Sequence, residues 1–133
     1  GAAMALQNTW LYTKAVVLGE KILADFENQF KVLDRRPYSD SRGRYPDGYR
    51  LNLKVLKDNG DLSVDKNGIP RMTNVEQTFD VIVLDKAGCA GIVPGDYIAL
   101  DGFNEQASYV INFDLGIFFD GAHVLKKASS PNG

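Results

Sequence analysis

The chain has 133 residues, 44% hydrophobic and 24% charged, which suits one ordinary domain with a single core and excludes a second of similar size. Its net charge of −2 excludes a surface that attracts nucleic acid everywhere, so a role of that kind needs a local basic patch. The lone Cys89 forms no internal disulfide, and the absence of a signal-peptide pattern or an apolar run near 20 residues predicts a reducing, cytoplasmic setting without membrane contact.

Residues 1–12 are set apart from a domain expected over 13–125 and a polar tail over 126–133. Gly1-Ala2-Ala3 ahead of Met4 reads as an expression scar. The rest is an N-terminal arm carrying Trp10, Leu11 and Tyr12, three groups that cost about 1.5–3 kcal/mol each to leave fully in water. The arm either folds back as a lid or docks on a neighbouring copy, making a homo-oligomer. Lys14 to Leu23 is rich in branched residues around Gly19 and predicts a long, bent first strand. A helix competes for residues 20–32, because Ile22, Leu23, Phe26 and Phe30 fall near helical spacing.

Residues 34–50 are the most uneven stretch of the chain. They hold five of its six arginines and three of its six tyrosines, with three aspartates, a local balance of +2. Arginine offers a planar charged donor fork for phosphate, and tyrosine offers a face on which a base can stack. A solvated loop whose Arg and Asp residues pair with one another accounts for the composition equally well. The segment is expected to connect the first and second strands.

Tyr49 to Val55 alternates strictly, with Tyr49, Leu51, Leu53 and Val55 inward and Arg50, Asn52 and Lys54 outward. Asp58-Asn59-Gly60 and Asp65-Lys66-Asn67-Gly68 mark residues 57–75 as a long hairpin connection with a small ribbon at its tip. Gln77 to Leu84 is the partner strand, and its apolar Ile82 and Leu84 predict cover on both faces. Lys86 to Val93 is too glycine-rich for more than one short turn or an irregular plug. Tyr97 to Leu100 and a piece around Tyr109 to Ile111 read as strands, and Leu115–Phe119 followed by Ala122–Leu125 as a last, bulged one. Adjacent Phe118 and Phe119 must point to opposite faces, one into the core and the other as a stacking platform, an interface group or a cover.

Five strand regions with glycine bends predict an all-β, five-stranded Greek-key OB-fold barrel with at most one short helix, since closure removes sheet edges. An open sandwich is the alternative.

The order of these parts resembles the bacterial single-stranded-DNA-binding proteins and their relatives on phages and conjugative plasmids. The likeness covers roughly residues 13–125. It rests on Lys14 to Gly19, Tyr49 to Val55, Thr78 to Leu84, Pro94-Gly-Asp-Tyr-Ile-Ala-Leu-Asp-Gly-Phe103 and Phe118 to Leu125. Two departures stand out: a shorter, glycine-rich connection between the third and fourth strands, and Ser129-Ser-Pro-Asn-Gly133 in place of an acidic, phenylalanine-ending tail. The resemblance implies binding of single-stranded DNA, with RNA or duplex DNA held more weakly, over the outer face of the second and third strands. Its expected contacts are Arg35, Arg36, Tyr38, Arg42, Arg44 and Tyr45 in the arginine-tyrosine segment and Arg50, Asn52 and Lys54 on the outer row. Lys66 and Arg71 in the hairpin and Phe103 and Tyr109 near the connection between the last two strands complete the set. Tyr49 shares the core parity and is expected to anchor it.

No enzyme is expected, nor a cofactor or metal. His123 is the only histidine and has no nucleophile near it in sequence, Cys89 reads as a small buried hydrophobe, and the carboxylates lack metal-ligand spacing. The expected role is single-stranded DNA binding with little sequence preference, in replication or conjugative transfer of a mobile element. The alternative is an OB-like adaptor whose arginine-tyrosine segment binds an acidic protein partner.

Overall fold

A computed structural model of the chain describes residues 17–60, 66–69, 73–111 and 114–128. The Trp10, Leu11 and Tyr12 arm, Arg71 and most of the proposed ribbon tip lie outside the described residues.

The first described element is a helix, in place of the bent strand expected over 14–23 and in keeping with the competing helical reading of residues 20–32. Residues 14–16 lie outside the described set, but α1 (Gly19–Asp25) is helical because Ile22 and Phe26, four residues apart, both bury completely on one face. Lys21 Nζ meets Asp25 Oδ2 at 2.7 Å on the wetter side. The helix stops where Glu27 and Asn28 take positive φ, and the Asn28 amide then clamps the backbone of Leu100, donating to its oxygen and accepting from its N–H. With a second one-turn helix, α2 (Lys86–Cys89), the chain has two short helices among its described residues, one more than expected.

The first barrel strand is therefore β1 (Phe30–Tyr38), followed by β2 (Gly48–Val55), β3 (Thr78–Val83), β4 (Tyr97–Phe103), a hairpin of β5 (Tyr109–Ile111) and β6 (Asp114–Gly116), and β7 (Phe118–Lys126). Leu115, expected in the last strand, belongs to that separate hairpin, while β7 starts at Phe118 and carries a register shift at Leu125, where Tyr97 and Ile98 pair with Lys126 and Val124. The barrel closes in the order β1-β2-β3-β7-β4, with β3 and β7 parallel and β4 returning to β1 through Phe30–Ile98 and Lys31–Tyr97. This is the all-β, five-stranded barrel of the OB-fold class.

Its core is built on the inward rows. Phe26, Phe30 and Phe79 meet edge to face with centroids 5.5–6.3 Å apart, surrounded by Leu51, Leu53, Val81, Ile98, Leu100 and Phe119. The α2 turn plugs one end with Cys89 and Ile92, held by Asp85, whose carboxylate accepts from the Gly88 N–H. Burial pushes the Cys89 thiol up to about 11, with Asp85 adding and Arg35 opposing.

Candidate nucleic-acid interface

The register of β1 and β2 decides which side chains reach the outer face. Val32 pairs with Leu53, but the next registered pair is Asp34 with Asn52, so Leu33 is the extra residue of a bulge. Side-chain direction inverts there. Without the bulge Asp34, Arg36 and Tyr38 would continue the inward row of Phe30 and Val32; with it they join the outer row of β2. Only residues 39–47 of the arginine-tyrosine segment form a loop, because its two ends are strand.

The outer face is consequently a ruled surface. One row runs Asp34, Asn52, Asp80 across β1, β2 and β3, the next runs Arg36, Arg50, Ile82, and Ile82 is in register with Phe118 of β7. Arg36 Nε donates to Asp34 Oδ2 at 2.9 Å, Asn52 Nδ2 to Asp80 Oδ1 at 2.9 Å, and Arg50 Nη1 stands 3.7 Å from Asp80 Oδ2. These five polar residues line an open cleft of about 350 Å³. Further along β2, Lys54 Nζ lies 3.3 Å from Glu76.

Beside the cleft sits an aromatic cluster that draws on both flanking connections. Phe118, 4% exposed, packs with Ile82, Leu84 and Ala107, and three tyrosine rings surround it: Tyr38 at 5.8 Å, Tyr45 at 6.3 Å and Tyr109 at 6.3 Å. Phe119 faces the core, so the adjacent pair divides as their spacing requires. The 104–108 connection is tied to the same place. Ser108 Oγ accepts from the Phe118 N–H, Asn104 N–H donates to the Phe118 carbonyl, and Tyr45 Oη donates to Gln106 O at 3.4 Å. Burial raises the Tyr38 phenol above its ordinary value, Asp40 and Tyr109 add to this, and Arg44 and Arg50 oppose it.

Asp40 shapes the 39–47 loop. Its carboxylate accepts from the backbone N–H groups of Arg42 and Arg44 and from Arg44 Nε, while Gly43, at φ 64°, closes a turn onto the Asp40 carbonyl. The Arg42 N–H leads the causes that hold Asp40 below its ordinary carboxylate value, partly offset by desolvation and reinforced by Arg44. Arg42 is exposed and has no carboxylate partner among the described residues; Arg44 lies over the Tyr45 ring at 5.8 Å.

Two expected contacts are engaged elsewhere. Arg35 has the inward parity, stacks on Tyr49 at 4.5 Å and donates to the carbonyls of Cys89 and Ala90, so it covers the plugged barrel end. Phe103 packs edge-on against Phe119 and against Gly19 of α1, on the opposite side of the β7 strand from Phe118. Lys66 is exposed on the long hairpin. Sequence reasoning left out Asp34, Asn104 and Ser108; the polar Asn104-Glu-Gln-Ala-Ser108 turn was the available signal for the last two.

The chain matches no family model, no curated protein and no solved structure. Among the described residues no group of three or more His, Cys, Asp or Glu side chains could hold a metal, and no helix is long and apolar enough to cross a membrane. His123 Nδ1 lies 2.7 Å from Asp101 Oδ2 on the exposed face of β4 and β7.

Proposed function

We propose that the protein binds single-stranded DNA through the outer face of β2 and β3, with little overall sequence preference. The observation that carries this reading is the convergence of Tyr38, Tyr45 and Tyr109, from two different connections, on Phe118 beside Arg36 and Arg50. OB-fold barrels use this face and these connections for oligonucleotides. Half-exposed rings offer sequence-tolerant stacking, and the exposed Arg42 and Arg44 of the adjoining loop offer phosphate contacts. Action during replication or transfer of a mobile element is the context in keeping with the resemblance of the strand pattern to plasmid and phage proteins.

Fluorescence anisotropy with labelled oligo-dT at two salt concentrations tests it. Binding should weaken steeply as salt rises and should exceed binding of the equivalent duplex, because the rings need unpaired bases. No binding at low salt overturns it.

A protein-binding adaptor is the second reading, favoured by two observations. Arg36, Arg44 and Arg50 already face carboxylates, and Ile111, 58% exposed, stands on the β5 strand with Tyr109. Failure with oligo-dT would promote it.

A further inference from the structure

We infer that the polar cleft beside the tyrosines is a guanine-reading subsite, so that one position of the bound strand is selected while the rest is not. The inference rests on the proposed binding of single-stranded DNA.

Two carboxylates in the middle of a nucleic-acid surface need a reason. Asp34 and Asp80 lie on the outer row next to Arg36 and Arg50, where they repel any phosphate that approaches. With two carboxylates set against two guanidinium groups the cleft offers phosphate no net attraction, and the phosphate chain runs instead past the exposed Arg42 and Arg44 side chains. What enters the cleft is a base, and its polar edge must suit acceptors on one row and donors on the next.

Side chains two apart on a strand lie on neighbouring rows about 6.6 Å apart, so a base lying over the cleft reaches the acidic row and the basic row together. The cleft, at about 350 Å³ and open to solvent, has room for a base. Guanine alone presents two adjacent donors, N1–H and N2–H₂, that a single carboxylate accepts together, and it carries the acceptors O6 and N7 that suit a guanidinium. Thymine turns two carbonyls toward any carboxylate that takes its one N–H. Cytosine and adenine each offer one exocyclic amine beside a ring acceptor.

The existing contacts assign the roles. Asp80 is occupied, with Asn52 on one oxygen and Arg50 near the other, and it holds the floor of the cleft. Asp34 is half exposed and gives one oxygen to Arg36 Nε; among the described residues its Oδ1 has no hydrogen-bond partner. The 3.7 Å separation of Arg50 from Asp80 is too long for a hydrogen bond, which leaves the Arg50 fork for O6 and N7. Asp34 is the group that accepts from N1–H and N2–H₂.

The test compares labelled oligo-dT with the same strand carrying one central dG, and with one central deoxyinosine, which lacks the N2 amine. The dG strand should bind about 5- to 10-fold tighter than oligo-dT, the low end of what one bidentate base contact supplies, and deoxyinosine should lose most of that gain. Asp34→Asn, with its fold checked by circular dichroism, should abolish the dG preference while binding oligo-dT as well as or better than the parent, because a repelling charge is gone. Asp34→Glu should restore part of the preference. Equal binding of oligo-dT and the dG strand, or a preference that survives Asp34→Asn, overturns the subsite and leaves the DNA-binding reading standing. No binding of either strand at low salt overturns both.

Discussion

Tyr38 stands edge-on to Phe118, with ring centroids 5.8 Å apart and planes at 78°, joining the end of the first barrel strand to the start of the last. The contact exists because the bulge at Leu33 turns Tyr38 outward and because Phe119 takes the core side of β7. It ties the 39–47 loop and the 104–108 connection to one apolar floor.

Removing a tyrosine from that floor should weaken DNA binding more than stability. Tyr109 is 47% exposed, so Tyr109→Ala should cost about 1–3 kcal/mol in oligo-dT affinity by anisotropy while the urea midpoint changes little. Phe118→Ala should instead lower both, with a stability loss of about 3 kcal/mol, because the ring is buried under three others.

The arginines of one cluster should separate into two kinds. Arg42→Ala should reduce the slope of log affinity against log salt by about 0.7, the share of one phosphate contact on a single strand. Arg35→Ala should leave that slope unchanged and lower the melting temperature, since its guanidinium serves the Cys89 and Ala90 carbonyls and the Tyr49 face. A salt titration with a parallel thermal melt reads both.

Asp96 should govern acid stability. The carboxylate is fully buried, which by itself raises its pKa, but Lys127 Nζ at 2.7 Å and the N–H groups of Val93 and Ala128 outweigh burial and hold it below the ordinary value. A depressed folded-state value means that the contribution is complete above about pH 4, the unfolded value, and is lost as pH falls through the folded one. Denaturant melts between pH 2 and pH 7 should show this loss, and Asp96→Asn should flatten that part of the profile. Asp96→Ala should cost about 1–3 kcal/mol at pH 7 by leaving two N–H groups unpaired.

Gly48, at the start of β2, lies against the backbone at the end of β3. A Cβ there would meet the Val83 carbonyl oxygen, a backbone atom that no rotamer change can move. Gly48→Ala should therefore destabilise by about 1–3 kcal/mol in a urea titration, although Gly48 sits in a strand where alanine is otherwise acceptable.

Alternation along Tyr49 to Val55 was legible in the sequence because inward and outward neighbours have opposite solvation, and the double cover of Ile82 and Leu84 followed from the same pattern. The first strand was not legible. Phe30-Lys-Val-Leu-Asp-Arg-Arg-Pro-Tyr38 contains a bulge, and a bulge breaks the period on which strand recognition depends. The preceding helix was legible only as the competing reading of residues 20–32, since branched residues around Gly19 also satisfy a strand pattern, and the shared burial of Ile22 and Phe26 decides for the helix.

By itself the sequence determined the all-β barrel class, the basic and aromatic bias of residues 34–50 and the outward row Arg50, Asn52 and Lys54, because all three are properties of local order along the chain. Only the tertiary structure decided which arginines are available, since Arg35 and Arg36 are neighbours in sequence and the pleat sends them to opposite faces. It alone set Asp34 and Asp80 against Arg36 and Arg50 and gathered three tyrosines on Phe118, because pairing across strands and the closure of β7 onto β3 bring together residues that no local pattern connects.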